Sequence, residues 1–177
     1  MPDNENTFDE VPLELLYRKL EKPLYNVVYR WVWDGAEARD ILQETFLRLW
    51  KMQARVRPET VEPLAYKIAL NLARKRLRRK KILSWVGLEG RPPPPSEQPD
   101  PEETMRQEER DETVRAAVES LAPKYRDVIL LSEFSELTYD EIAAALDIQP
   151  GTVASRRHTA IKMLRDKLEG WSPREDA

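Results

Sequence analysis

The chain has no cysteine and a single histidine, His158. The first absence excludes a disulfide framework, a thiolate nucleophile and a cysteine-ligated zinc. The second argues against a histidine-based metal cluster and against a Ser-His-Asp triad, so most enzyme classes lose ground at once. Long apolar runs are missing too. None approaches the roughly 18 residues that a membrane-spanning helix needs. The opening Met1-Pro2-Asp3-Asn4-Glu5-Asn6 is acidic where a secretory signal is basic and then apolar, so neither membrane insertion nor export is expected and a cytoplasmic location is.

What is present is charge. Of the 177 residues 34% are charged and 41% apolar, and mean hydropathy is -0.67. That is enough apolar content for one domain or two small ones with much surface in water. The net charge of -3 conceals a segregation. From Lys67 to Lys81, eight of fifteen residues are cationic (Lys67, Arg74, Lys75, Arg76, Arg78, Arg79, Lys80 and Lys81), with no acid among them. From Glu89 to Glu112 nine acids oppose only Arg91, Arg106 and Arg110. A local basic strip can bind phosphates whatever the total charge, and eight cations exceed what capping of a helix C-terminus requires, so nucleic-acid contact is expected.

The acidic stretch includes Arg91-Pro92-Pro93-Pro94-Pro95-Ser96-Glu97-Gln98-Pro99-Asp100-Pro101, whose six prolines remove backbone donors and which has no apolar side chain to bury. It reads as a semi-rigid linker over 84–104 that holds two flanking modules apart. Before it, Leu13, Leu16, Leu20, Leu24, Val27 and Val28 repeat at helical spacing. Ile41, Leu42, Phe46, Leu49 and Trp50 do so again after the Asp34-Gly35 break. A third helix is expected from about Pro63, with Leu64, Ile68, Leu72 and Leu77 as its apolar stripe. After the linker, Met105 to Leu121 and Lys124 to Phe134 are expected to be helical, the latter opened by Pro123. The fold class is therefore all-α, two small helical domains joined by a proline-rich acidic linker.

The sharpest signals lie near the end. Thr138-Tyr139-Asp140-Glu141 is a capping box that starts a helix through Leu146. The pattern breaks at Asp147-Ile148-Gln149 and restarts at Pro150, since proline suits the first position of a helix. A short helix, a tight turn and a second helix suit a helix-turn-helix, with small Ala143 and Ala144 permitting close packing. The second helix would then present Thr152, Ser155, Arg156, Arg157, His158 and Thr159 to base edges and phosphates, above an inner stripe of Val153, Ala160, Leu164 and Leu168. Taken singly, His158 reads as a polar surface residue.

Together these segments resemble the extracytoplasmic-function group of bacterial sigma factors, two-domain initiation subunits of RNA polymerase. Glu37-Ala38-Arg39-Asp40-Ile41-Leu42-Gln43-Glu44-Thr45-Phe46-Leu47-Arg48-Leu49-Trp50 is similar to the family's polymerase-binding helix. Tyr66-Lys67-Ile68-Ala69-Leu70-Asn71-Leu72-Ala73 is similar to its promoter-melting helix. Leu121-Ala122-Pro123-Lys124-Tyr125-Arg126-Asp127-Val128, Leu137 to Ala143 and Pro150 to Arg156 resemble its upstream-element reader. The resemblance implies sigma domain two over 1–83, a linker over 84–104 and sigma domain four over 105–177. It implies core RNA polymerase and promoter DNA as partners, an anti-sigma factor or a Ser/Thr kinase as regulator, and no cofactor. Asp40, Gln43, Glu44, Leu47 and Trp50 would dock on the polymerase, with Phe46 in the core. Asn71, Arg74, Arg78 and Arg79 would meet the downstream element, an extruded base lying near the loop from Gln53 to Pro63. The acidic linker would pass toward the RNA exit path.

The chain departs from the family pattern at particular points. Arg39 stands in a cluster that is often wholly acidic, which raises the expectation that Thr45 or Thr60 is phosphorylated to restore negative charge. Arg157 stands at a position that is usually apolar. Two other readings compete. A stand-alone helix-turn-helix regulator explains the last eighty or so residues but leaves the basic and docking-like helices unexplained. A helical adaptor that binds only proteins predicts no salt-dependent DNA affinity. Enzymatic use of Asp140 and Glu141 is the weakest option, because capping already accounts for them.

Overall fold

The structure is a computed structural model that describes residues 13–52, 56–85 and 112–169. Among them the chain is helical throughout, with no strand. The elements are α1 (Leu13–Val32), α2 (Gly35–Met52), a 3-10 turn at Pro58–Thr60, α3 (Val61–Trp85), α4 (112–119), α5 (Pro123–Phe134), α6 (Tyr139–Leu146) and α7 (Pro150–Leu168). The proline-rich segment and 105–111 lie outside the described residues.

α1 ends where Trp33 turns into the left-handed region at φ 53°. Asp34 then starts α2, its Oδ1 accepting from the backbone N–H groups of Ala36 and Glu37, each at 3.0 Å. This is the N-cap exchange that an Asp supplies to otherwise unpaired first-turn donors. α3 starts at Val61, two residues before the expected Pro63, because the 3-10 turn delivers the chain into helical geometry early. Its buried set differs from the expected stripe. Val61, Ala65, Tyr66, Ala69, Leu70, Leu72 and Ala73 are buried, while Leu64, Ile68 and Leu77 are only half-buried. The reason is tertiary: α3 packs on α1 and α2 and also on α6, so more of its circumference is covered than one amphipathic stripe provides.

The helix-turn-helix forms as the residues require. The Thr138 hydroxyl accepts from the Glu141 N–H at 3.3 Å, and the Glu141 carboxylate accepts from the Thr138 N–H at 2.7 Å. α6 ends at Asp147 in the left-handed region, φ 53°, with the Ile148 N–H donating to Ala143 O at 3.0 Å. Pro150 then opens α7. Ala143 and Ala145 are the buried small residues of α6, whereas Ala144 is exposed, contrary to the expectation for it. Thr138→Ala is expected to cost about 1 kcal/mol of stability, measured by urea unfolding. The Glu141 carboxyl lies below its ordinary value of 4.5, first because the Thr138 backbone N–H donates to it and then because of the Thr138 hydroxyl. A carboxyl lowered on folding stabilises above its unfolded value and loses that contribution as pH falls through the folded one. The share of the penalty that comes from losing the hydroxyl–carboxylate bond should therefore shrink as the solution is acidified below about pH 4.5, while the backbone share is kept in the variant.

The linker was expected to hold two modules apart, and the helices on either side of it are instead packed together. α5 lies on α1 and α6 on α3, and the buried apolar residues form one continuous cluster from Leu16 to Ala160. No helix among the described residues is long and apolar enough to cross a membrane.

Candidate nucleic-acid interface

Three surfaces collect the residues singled out by the sequence. On α2, positions 40, 43, 44, 47 and 50 follow helical spacing and share one face. Asp40, Gln43, Leu47 and Trp50 are exposed on it and Glu44 is half-buried. Ala38, Ile41, Leu42, Thr45, Phe46 and Leu49 are buried on the other side, Phe46 edge-on to Tyr17 at 4.8 Å between ring centroids. Trp50 is 53% and Leu47 49% exposed, an apolar pair without a covering partner among the described residues. The acids beside them are partly neutralised: Glu44 pairs with Arg48 at 2.6 Å and with Arg76 at 3.6 Å, and Asp40 lies 3.9 Å from Arg76.

Thr45 is fully buried, its hydroxyl donating to Ile41 O at 2.7 Å. A kinase cannot reach a side chain so placed, which overturns the expectation that Thr45 is a phosphorylation site. Thr60 is exposed on the 3-10 turn, its hydroxyl donating to Arg57 O at 3.0 Å.

The basic strip on α3 is far less free in space than in sequence. Arg76 faces the α2 acids, and Lys80 lies 3.3 Å from Glu37 and 3.9 Å from Asp34. Lys67 pairs with Asp147 at the end of α6, 2.6 Å from Oδ2. Arg74 donates to Asn71 Oδ1 at 3.0 Å and, through Nη2, closely to the carboxylate of Asp127 on α5. Arg78 and Arg79 remain exposed with no ion pair among the described residues, and Lys75 is exposed likewise. Of the four predicted residues of this strip, then, Arg78 and Arg79 are open to a ligand, Asn71 is exposed but hydrogen-bonded, and Arg74 is engaged.

On α7, residues 152, 155, 156 and 159 share a stripe. Ser155 and His158 are exposed, while Thr152, Arg156 and Thr159 are half-buried. The Ser155 hydroxyl donates to Thr152 O at 3.1 Å and the Thr159 hydroxyl to Ser155 O at 3.0 Å, leaving both oxygens able to accept. Residues 153, 157, 160 and 164 form the inner stripe against α5, with Val153 and Ala160 buried. Arg157 therefore sits at the core edge, where its stem can pack and its head reaches Glu133 through Nε at 3.1 Å and Nη2 at 2.6 Å. That double hydrogen bond holds the guanidinium above its ordinary pKa. Arg157 is thus engaged within the fold, unlike its neighbours Arg156 and His158.

Two residues that the sequence reading did not single out complete the picture. Arg126 and Asp127 are buried side by side on α5. Arg126 donates through Nη2 to Arg30 O at 2.8 Å and Trp31 O at 3.0 Å, the closing carbonyls of α1, and lies 4.3 Å from the centre of the Trp31 ring. A cation at a helix C-terminus also suits the helix dipole. Burial lowers the Arg126 pKa to about 10, so it stays charged near neutrality. Burial raises the Asp127 carboxyl, opposed by the charge of Arg74. A signal for the pair existed, because Arg126 and Asp127 lie four residues before Leu130 and Leu131, on the stripe those leucines bury.

Comparison with known proteins accords with this geometry. Residues 16–82 match the family profile of Sigma-70 region 2, and residues 111–164 that of Sigma-70, region 4. The chain is 32% identical over 154 residues to the ECF RNA polymerase sigma factor SigE of Mycolicibacterium smegmatis. That match spans 86% of this chain but only 60% of the relative's length. Against the ECF RNA polymerase sigma factor SigW of Bacillus subtilis it is 32% identical over 154 residues, covering 82% of each. Among solved structures, CnrH in complex with the cytosolic domain of CnrY superposes with a TM-score of 0.65 at 19% identity, over 90% of this chain and 89% of that one. The sigma factor RpoE of Bartonella quintana, in complex with the anti-sigma factor NepR, gives 0.62 at 18% identity, over 90% and 99%. At such identities these two structures speak for the fold alone.

Proposed function

The chain belongs to the extracytoplasmic-function group of RNA polymerase sigma factors, and on that premise we propose how its surfaces divide the work of promoter-specific initiation. The exposed Leu47 and Trp50, flanked by Asp40, Gln43 and Glu44, dock on core RNA polymerase. Arg78 and Arg79, with Asn71 and Arg74, hold the backbone of the downstream promoter element as it opens. Thr152, Ser155, Arg156, His158 and Thr159 read the upstream element from the major groove, with Arg157 positioning the helix from α5. On this reading 1–83 and 105–177 are the two working modules, joined by the linker over 84–104. The polymerase does the bond-making, and this chain supplies address and strand opening in the cytoplasm. An anti-sigma factor is the proposed regulator, in keeping with the partners of the similar solved structures; Thr60 is the remaining candidate for a Ser/Thr kinase.

The observation that carries this reading over a stand-alone helix-turn-helix regulator is the exposed Leu47–Trp50 pair on α2, which duplex binding by α7 leaves without a purpose. Run-off transcription with core polymerase and a pool of genomic promoter fragments tests it: discrete transcripts that depend on the chain are expected. Duplex binding without polymerase binding or transcripts would replace the reading with the stand-alone regulator. Arg78→Ala/Arg79→Ala should weaken capture of the single-stranded downstream element and lower the salt slope of log affinity by about 1.4, roughly 0.7 for each phosphate that the variant no longer neutralises, as measured by titrating a labelled oligonucleotide at several salt concentrations.

A further inference from the structure

α3 outlasts the core. Among its described side chains the last buried one is Ala73 and the last apolar one packed on the core is Leu77, yet the helix continues to Trp85. On that end Lys75, Arg78, Arg79 and Ile82 fall on one face at spacings of three and four, and all four are exposed. Ile82 is 65% exposed, more than any other large apolar side chain among the described residues, and Arg78 and Arg79 stand one turn before it. The nearby acids are turned elsewhere: Asp34 and Glu37 to Lys80, Asp40 and Glu44 to Arg76, and Asp127 to Arg74. In sequence, Lys80-Lys81 leads into Ile82-Leu83-Ser84-Trp85-Val86-Gly87-Leu88, five apolar residues of seven and none charged, before Glu89. A nucleic-acid backbone accounts for the cations. It gives Ile82 in their midst nothing to bury against, since base stacking calls for an aromatic ring.

We propose that the C-terminal end of α3 is a peripheral membrane-docking site, which sets Lys75, Arg78 and Arg79 on the headgroups of an anionic bilayer and Ile82 in the boundary below them. Both parts of the patch then have a partner. Headgroup phosphates accept from the guanidinium and ammonium groups, and the acyl boundary takes the aliphatic side chain out of water. A cluster of cations beside an apolar run is the pattern that lies on a membrane surface. No helix among the described residues is long and apolar enough to cross a bilayer, and surface docking requires none. With three cations and one exposed aliphatic side chain, binding is weak, reversible and salt-sensitive. Arg78 and Arg79 are also assigned to the downstream promoter element, so lipid and single strand exclude each other. That exclusion rests on the proposed function, whereas the docking itself does not.

Sedimentation of the full chain with vesicles tests the site. Vesicles of phosphatidylglycerol and phosphatidylcholine in equal parts should carry the chain down, and phosphatidylcholine alone should not. Arg78→Ala/Arg79→Ala should bind the anionic vesicles about thirtyfold more weakly, about fivefold for each cation. Ile82→Ser should bind about fivefold more weakly and Ile82→Leu as well as the wild type, all with unchanged melting temperature because the side chain is exposed. Ile82→Ser should also keep its run-off transcripts. No sedimentation with anionic vesicles, or wild-type binding by Ile82→Ser, overturns the proposal. Lost transcripts with undiminished vesicle binding would give Ile82 to promoter or polymerase and overturn it too.

The absence of native cysteine permits a second readout. A polarity-sensitive dye on Ile82→Cys should shift to the blue with anionic vesicles. The same dye on Leu15→Cys should not, because Lys19 ties that end of α1 to Glu62, about 30 Å along α3 from Ile82. Equal shifts at both positions would mean unspecific adsorption and sink the assignment. A single-stranded downstream-element oligonucleotide should release the chain from the vesicles. Failure to release it, with vesicle binding still dependent on Ile82, would leave the docking site standing and remove Arg78 and Arg79 from the promoter surface instead.

Discussion

Leu47→Ala/Trp50→Ala is expected to weaken binding to core RNA polymerase by about a hundredfold to a thousandfold while leaving the melting temperature almost unchanged. The two side chains are 49% and 53% exposed, so their truncation opens no cavity in the α1–α3 core. An apolar anchor buried at the centre of a protein interface is worth about 2 kcal/mol or more, and a tryptophan is among the most frequent of such anchors. The acids of the same face should matter less. Glu44 is already shared between Arg48 and Arg76, so its charge is partly spent inside the chain. Fluorescence anisotropy with labelled chain and core enzyme measures the loss. Undiminished affinity in the double variant would move the docking surface off this face of α2.

The second large effect concerns stability. Arg126→Ala should lower stability by about 3 kcal/mol, since hydrogen bonds from a charged group contribute about 1.5–3 kcal/mol and their removal leaves the closing carbonyls of α1 without their partner. In a chain of this size that is a fall of about 6–12 °C in Tm. The form of the transition is as informative as its position. Because Arg126 joins α5 to α1 and the core is continuous, the wild-type chain should unfold in one transition by calorimetry. The variant should separate into two, with the C-terminal helices melting first. A wild-type chain that already melts in two steps would show that the junction contributes little.

Most of the helical layout was legible in the residues, and particular pairs show why. Phe46 and Trp50 sit one turn apart on α2, yet the first is buried and the second exposed. Phe46 lies in line with Leu42 and Leu49, while Trp50 follows Gln43 and Leu47 around the cylinder. The boundary at Thr138 and the restart at Pro150 followed from local hydrogen bonding and from a missing N–H, which neighbours in sequence decide. Thr45 was misread because its hydroxyl is satisfied by its own helix and its face is sealed by other helices. Composition does not report that. Arg157, counted among the base readers although its position is usually apolar, is held by Glu133, which comes from another helix and which no spacing along α7 reports.

By itself the sequence determined an all-helical chain, its cap and turn chemistry, and the family whose pattern it carries, because these depend on interactions within a few residues. Only the tertiary structure decided which charges are available. Eight cations in fifteen residues look like one open strip. In three dimensions α2 supplies Glu44 and Glu37 to Arg76 and Lys80, α5 supplies Asp127 to Arg74, and α6 supplies Asp147 to Lys67. Ion pairs form over a few ångströms of space whatever the distance along the chain, and a carboxylate eighty residues away neutralises as well as an adjacent one. Among the described residues Lys75, Arg78 and Arg79 stay exposed without an ion pair after the fold has taken its share.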